Sequence, residues 1–315
     1  MKAQFQSMPN SIPISLQIQT KPRIFTSDVA SRFINDTDVT DKSKKGYTNA
    51  LTQFLYWLGE NGITEPKRED ILSYKEALKA DGLKPNTITA YIVVVKKFFS
   101  WLESIRLYDN VTNGIKGGGA VNGFLKDPLT TDQVRLLLAS IDKSKPDGVR
   151  NFNIINLMLH TALRTIEVVR ADVSDMAIKS DRHILYVQGK GRVEKDELVV
   201  LTDTVYNPLM SYLGNRKAQQ EEPLFTSEAN RSKGQRLTGY AISHIVKSAL
   251  RGINLDSDRL TCHSLRHTAI TKALLNKAEL RDVQAMARHR VITTTTRYAH
   301  DLDRINNAAE TLVTY

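Results

Sequence analysis

The stretch Asn113-Gly114-Ile115-Lys116-Gly117-Gly118-Gly119 constrains the fold more than any other part of the chain. Three consecutive glycines in polar surroundings favour neither helix nor strand, so regular structure before them does not continue past them. We read residues 113–127, as far as Asp127-Pro128, as a glycine-rich linker between two domains. The length of 315 residues fits that division, because single hydrophobic cores stop growing at roughly 250–300 residues. A phosphate-cradling loop is the competing use of such glycines, but the chain has no GxxxxGKS or GxxxxGKT pattern.

The segment before the linker reads as an all-helical domain. Residues 1–24 are polar, are interrupted by Pro9 and Pro13, and form a flexible N-terminal extension. They lack the apolar stretch of a signal peptide, and no run elsewhere approaches the ~20 apolar residues of a membrane span. A cytoplasmic protein without a membrane partner is expected. Within residues 25–112, Tyr47, Leu51, Phe54, Leu55 and Leu58 share one helix face. Thr40 or Asp41 can cap that helix, and Gly59 with Asn61-Gly62 stops it. A shorter helix follows over about 69–80. The clearest stripe is Ile88, Ile92, Val95, Phe99 and Leu102, behind Pro85. Lys96 and Lys97 lie off that stripe and are candidates to face a phosphate backbone, although adjacent lysines more commonly mark a solvated helix face.

Residues 128–315 form the second domain. It opens on a capping box, Thr130-x-x-Gln133, ahead of Val134, Leu137 and Leu138. A long apolar helix over about 148–163 carries Val149, Phe152, Ile155 and Leu159. Arg164 closes that helix and Glu167 follows one turn later, which by spacing alone is an ordinary surface pair. The pattern then changes: residues 183–187 and 197–201 read as two antiparallel strands around Gly189-Lys190-Gly191-Arg192. After about residue 204 the pattern is helical again. The fold class is therefore mostly α, with a helical first domain and a larger α+β second domain carrying a small antiparallel sheet.

Charge narrows the partner. The formal net charge is +10, which favours a polyanion, nucleic acid first. The single cysteine, Cys262, excludes an internal disulfide and any CxxC zinc site, and its helical context makes it a packing residue.

The chemistry concentrates between residues 262 and 300. There the order is His263-Ser264-Leu265-Arg266-His267, then His289, then Tyr298. His263 and His267 share a helix face at a spacing that also suits two zinc ligands, with His289 or His300 as a third. The pair lacks the glutamate of HExxH, and Arg266 sets a fixed cation beside it. Such a cation repels a metal ion but grips a phosphate bidentately, so no metal or other cofactor is expected. A tyrosine such as Tyr298 is usually a packing residue. With a reference pKa of about 10, it needs a base or a nearby cation to act as a nucleophile. Lys190, between two glycines, is either plain turn chemistry or a lysine on a mobile tip able to deliver a proton.

The succession Arg164, Lys190, His263-x-x-Arg266, His289, Tyr298 resembles the tyrosine recombinase family, which includes the phage integrases and Xer-type recombinases. The likeness covers residues 128–315 in motif and the whole chain in architecture. Arg164, in Thr161-Ala162-Leu163-Arg164 with Glu167 after it, matches the first family arginine and its supporting acid. Lys190 matches the hairpin lysine. His263, Arg266 and the supporting His267 match the HxLRH box, His289 the next histidine, and Tyr298 the nucleophile in Tyr298-Ala299-His300. Three departures stand out: Ala162 for a usual glycine, Ile166 for a small residue, and Ala287-Arg288-His289 for Leu-Gly-His. None removes a catalytic side chain, but Arg288 is expected to crowd the helix N-terminus near His289.

The resemblance implies a core-type DNA-binding domain and a catalytic domain closing as a C-shaped clamp on double-stranded DNA recombination sites. Tyr298 would attack the scissile phosphate to give a 3′-phosphotyrosyl link, with Arg164 and Arg266 stabilising charge and His263 as general acid/base. Lys190 would protonate the leaving 5′-oxygen and His289 would hydrogen-bond the phosphate, without metal or ATP. Arg192, Lys96 and Lys97 are candidate DNA contacts. Four protomers would assemble on two sites, nucleoid-associated and open to accessory bending or directionality factors. A tail stripe of Ile305, Ala308, Ala309 and Leu312 would pack on a neighbour or on its own domain. Integration or excision of a mobile element is the expected role, and resolution of chromosome or plasmid dimers the alternative. A type IB topoisomerase or an idle DNA-binding regulator is less favoured.

Overall fold

Four helices build the first unit of the computed structural model, which describes residues 24–119, 126–189, 191–306 and 310. They are α1 (Ser27–Asp36), α2 (Asp41–Glu60), α3 (Arg68–Ala80) and α4 (Pro85–Ser104). Thr40 caps α2, its Oγ1 accepting from the Ser43 N–H at 3.4 Å. The expected stripe of α4 is buried, and Val94 and Phe98 are buried beside it. Burial over so wide an arc makes α4 the central helix, packed by α1, α2 and α3. Phe33 meets Phe98 edge-on at 5.5 Å between ring centres, and Phe54 meets Tyr74 at 5.0 Å, a geometry that adds to their burial.

The chain forms two compact units, residues 1–123 and 124–315. The glycine stretch is not a free linker as far as residue 118. Ile115 lies in the core of the first unit, and its carbonyl accepts from Lys96 Nζ at 3.0 Å. The Gly118 N–H donates to Thr89 Oγ1 at 2.9 Å. A Cβ on Gly118 would fall 2.5 Å from the Pro85 carbonyl oxygen, and one on Gly117 would fall 2.7 Å from Thr89 Oγ1. These glycines let the chain lie against the start of α4. Close backbone approach, not flexibility, accounts for them.

In the second unit, the capping box at α5 (Thr131–Ser140) forms both of its bonds, Thr130 N–H to Gln133 Oε1 at 2.9 Å and Gln133 N–H to Thr130 Oγ1 at 3.2 Å. Helix α6 (Pro146–Thr161) is the core element, burying Ile154, Ile155, Leu157 and Met158. It ends at Thr161 because Ala162 is left-handed, with φ 51° and ψ 29°. Arg164 therefore does not close α6; it is the N-cap of α7 (Thr165–Arg170).

The sheet has three antiparallel strands in the order β1 (Met176–Lys179), β2 (Arg182–Val187) and β3 (Glu197–Val200). β2 and β3 correspond to the two expected strands; β1 was not expected. Its turn to β2 is Ser180-Asp181, both at positive φ (48° and 56°), with Lys179 paired to Arg182. That is a two-residue hairpin turn built without the glycine or asparagine that normally announces one. Lys190, beyond β2, lies outside the described residues.

Helices α8 (Asp203–Asn215), α9 (Gly239–Arg251) and α10 (Cys262–Leu275) pack on α6. Cys262 is buried as expected. Helices α11 (Leu280–Ala287) and α12 (Ile292–Asn306) follow. A small separate core of Ala162, Ala269, Ile270, Val283, Ala287 and Tyr298 joins α10, α11 and α12 to the end of α6. The side chains of the expected tail stripe lie outside the described residues. Among the described residues no helix is long and apolar enough to cross a membrane.

The packing of Gly118 gives a stability test by equilibrium urea denaturation. Gly118→Ala should lower stability by about 1–3 kcal/mol through overpacking. Gly46→Ala, inside α2 with nothing within 4 Å of the new Cβ, should raise it by about 0.5–1 kcal/mol. Two neutral substitutions would return residues 113–118 to the status of a linker.

Candidate active site

Helices α6 and α11 are each followed directly by a left-handed residue that is not glycine: Ala162 after α6, and Arg288 after α11 with φ 51° and ψ 47°. Each such residue costs about 1–2 kcal/mol in backbone strain. Each also ends its helix abruptly, so that carbonyls of the last turn are left to find partners. Guanidinium groups take them. Arg266, in α10 and 4% exposed, donates through Nη1 to the Ala162 carbonyl and through Nη2 to the Ala287 carbonyl. Arg164 Nη2 donates to the Arg288 carbonyl at 3.1 Å. Arg288 donates through Nη2 to the Ala162 carbonyl at 3.1 Å and through Nη1 to the Met286 carbonyl at 2.6 Å. Cations thus gather at the negative ends of two helix dipoles.

One carboxylate ties them together. Glu167 Oε1 accepts from Arg164 Nη1 at 2.8 Å, and Oε2 accepts from the Arg164 backbone N–H and from Arg288 Nη2, each at 2.8 Å. The Glu167 side chain is 0% exposed and that of Arg288 1%. Burial pushes the Glu167 carboxyl up, but the charge and hydrogen bond of Arg288, and then those of Arg164, hold it below the ordinary carboxylate range. The Arg164–Glu167 pair is therefore not the surface pair its spacing indicates. Nor does Arg288 crowd the start of α12. It caps α11, and its side chain turns inward to Glu167. Three guanidiniums face one carboxylate here, which leaves the site cationic.

Tyr298, in α12, is 5% exposed and packs against Ala162, Ala269 and Ala287, whose small side chains leave room for its ring. The His267 ring stands edge-on to it at 5.0 Å between centres, and the His289 ring lies stacked at 6.1 Å. His289 is fixed by two contacts: Nδ1 to Thr295 Oγ1 at 2.9 Å, and its carbonyl accepting from Gln284 Nε2 at 3.0 Å. Burial, then the cationic neighbours, push His289 down to about 4; burial, His263 and Arg266 do the same for His267. Both are neutral at pH 7. Burial and the adjacent guanidiniums push Arg266 down to about 9, which still leaves it charged at neutral pH. Burial raises the Tyr298 phenol, against the opposing pull of Arg266 and Arg164.

Tertiary structure thus brings together Arg164, Glu167, Arg266, His267, His289 and Tyr298. His263 is exposed near the start of α10. The candidate DNA contacts have partners of their own. Arg192 pairs with Asp196 and, at 3.0 Å, with Glu197. Half-buried Lys96 is spent on the Ile115 carbonyl, while exposed Lys97 reaches Tyr47 Oη at 2.8 Å. Sequence reasoning missed Thr295, which is fully buried and lies in a run of four threonines that gives no sign of which one holds a histidine. It also missed the carbonyl acceptors, since every residue carries one.

The phage integrase family model matches residues 128–304, and the phage integrase N-terminal SAM-like domain model matches residues 32–104. The chain belongs to the phage integrase family. The recombinase is an enzyme that cleaves and rejoins DNA strands through a tyrosine recombinase domain. It is similar to tyrosine recombinase XerD of Listeria monocytogenes, 27% identical over 263 residues, covering 81% of this chain and 86% of that protein. A tyrosine recombinase of Synechococcus elongatus is 30% identical over 270 residues, covering 81% and 83%. Two solved structures share the fold. XerH recombinase bound to its palindromic difH substrate in a post-cleavage complex gives a TM-score of 0.72 at 19% identity, over 90% of this chain and 85% of that one. The Tn1549 transposon integrase in complex with circular intermediate DNA gives 0.67 at 19%, over 85% and 92%.

The depressed histidines make the stability of the recombinase depend on pH. Between their unfolded value of about 6.5 and the folded value of about 4, the unfolded chain binds protons that the folded chain refuses. Stability contributed by His267 and His289 is therefore present above about pH 6.5 and is lost as pH falls toward 4. Glu167, depressed in the fold, adds a loss of the same sign at lower pH. Denaturation at pH 7, 6 and 5 should show falling stability, with a shallower slope in His289→Asn. Equal stability at the three pH values would contradict neutral, buried histidines.

Proposed function

We propose that the protein is a site-specific DNA recombinase that works through a 3′-phosphotyrosyl intermediate. Tyr298 Oη attacks the scissile phosphorus. A new O–P bond forms as the P–O5′ bond breaks, freeing a 5′-hydroxyl. Arg164 and Arg266 meet the charge that builds on the non-bridging oxygens, where preorganised cations act most strongly. His263 takes the Tyr298 proton, and Lys190 protonates the departing oxygen. With Nδ1 of His289 engaged by Thr295, Nε2 is left to meet the phosphate. The phosphotyrosyl bond conserves the energy of the broken one, so rejoining needs neither ATP nor metal. The observation that carries this reading is Tyr298 buried within the charge field of Arg266 and Arg164, with Arg164 held by a buried carboxylate that it shares with Arg288.

The partner in this proposal is duplex DNA carrying two recombination sites, bound by a homotetramer and helped by accessory factors. The SAM-like unit and the catalytic unit both contact phosphates, with Lys97 and Arg192 among the contributors. The role expected from the sequence is integration and excision of a mobile element. A second role, resolution of chromosome or plasmid dimers, is favoured by the XerD relatives, which match over 81% of this chain.

A nicked suicide duplex tests the chemistry. Wild type should form a covalent adduct, Tyr298→Phe none, and Arg266→Ala should cleave about 10²–10³-fold more slowly. DNA binding by Tyr298→Phe should persist and weaken steeply with salt. Binding without an adduct in wild type would leave a DNA-bound regulator, and resealing without transfer between duplexes a topoisomerase. Sequencing the DNA trapped on wild-type protein in cells separates the roles. Element ends mark an integrase, and a single chromosomal locus marks dimer resolution.

A further inference from the structure

Arg288 stands apart from the groups assigned a catalytic step. Its side chain is 1% exposed, against 22% for that of Arg164, and its Nη atoms bond Glu167, Ala162 and Met286. Its Nε is buried without a partner. It also occupies a left-handed backbone position, where glycine would be unstrained. A large, charged and strained residue at such a point needs a reason, and Glu167 supplies it.

Every charged group facing Glu167 is a cation: Arg164 from the start of α7, Arg288 from the end of α11, and Arg266 from α10. Arg164 alone would form a closed pair with Glu167, and that pair would spend its positive charge on the carboxylate. Arg288 approaches Oε2, while the Arg164 guanidinium uses Oε1. The Arg288 carbonyl accepts from the other arm of Arg164, Nη2. A ring results in which Arg164 is held at both Nη atoms, by a carboxylate shared with a second cation.

We propose that Arg288 is a positioning residue: it neutralises Glu167 from behind, so that Glu167 fixes Arg164 without cancelling the charge Arg164 presents to the scissile phosphate. This rests on the recombinase reading. It also makes the departure from glycine at this position functional.

Single-turnover adduct formation on the nicked duplex reads the effect. Arg288→Gly relieves the backbone and keeps the helix end, so it should fold, as circular dichroism would verify. It should nevertheless form adduct about tenfold or more slowly, while Arg288→Lys, which keeps the charge, should stay within about threefold. In a Glu167→Gln background, Arg288→Gly should cost less than about twofold, because no buried carboxylate remains to neutralise. In Arg288→Gly alone, an acid limb in the rate should appear at higher pH than in wild type, since Glu167 has lost its strongest stabilising cation. A wild-type rate in Arg288→Gly, or an equal loss in both backgrounds, overturns the proposal. A second readout needs no catalysis. The side-chain NMR signals of Arg164 should exchange slowly in wild type and Arg288→Lys but fast in Arg288→Gly. If wild type forms no adduct while these signals behave so, the recombinase reading fails and the positioning role stands. Unchanged Arg164 signals overturn the positioning role itself.

Discussion

Buried guanidinium groups need acceptors for most of their N–H groups, and the architecture of the second unit around the site follows from that need. Carbonyls at the ends of α6 and α11 are suited to the task because helix ends leave acceptors unused. Placing them there requires both helices to stop sharply, and a left-handed residue does this at each end. Ala162 and Arg288 carry the strain of that conformation, which the bonds to Arg266, Arg164 and Glu167 offset. Breaking one partnership would leave a charge buried and unpaired, which typically costs about 3–5 kcal/mol. The site is therefore held as a unit.

The same constraint shapes the surroundings of Tyr298. A phenol buried beside cations needs a wall that neither clashes nor competes for hydrogen bonds, and Ala162, Ala269 and Ala287 provide one. The two histidine rings that touch it are kept neutral by burial and by the neighbouring positive charges. They can donate or accept a hydrogen bond without adding to the repulsion among the arginines. The first unit is organised on plainer terms, with one central helix and a core rich in aromatic contacts. Its polar work is confined to details such as Lys96 holding the Ile115 carbonyl, which brings the glycine stretch down against α4.

Much of this was legible in the sequence, for identifiable reasons. The stripe from Ile88 to Leu102 has a period only a helix can bury on one side, and Thr130 with Gln133 marked a helix start that forms both predicted bonds. Strands β2 and β3 stood out because short apolar runs that include valine and isoleucine lie on either side of a glycine-rich turn. β1 did not, because Ser180 and Asp181 adopt positive φ without the residues that usually signal it. The glycines at 117 and 118 misled for a related reason: absence of a side chain permits flexibility and close packing equally, and only the position of Thr89 and Pro85 decides between them.

The sequence by itself determined the helical stripes, the basic charge and the order of Arg164, Arg266, His289 and Tyr298 along the chain, because periodicity and side-chain chemistry are local properties. Tertiary structure decided what those residues are. Spacing made Arg164 and Glu167 a surface pair; folding buried Glu167 and gave it a second partner 121 residues away. Arg288 looked like an obstruction beside His289. It became the second cation on Glu167 because a left-handed helix end turns its side chain inward, and no local pattern encodes where a turned chain will point.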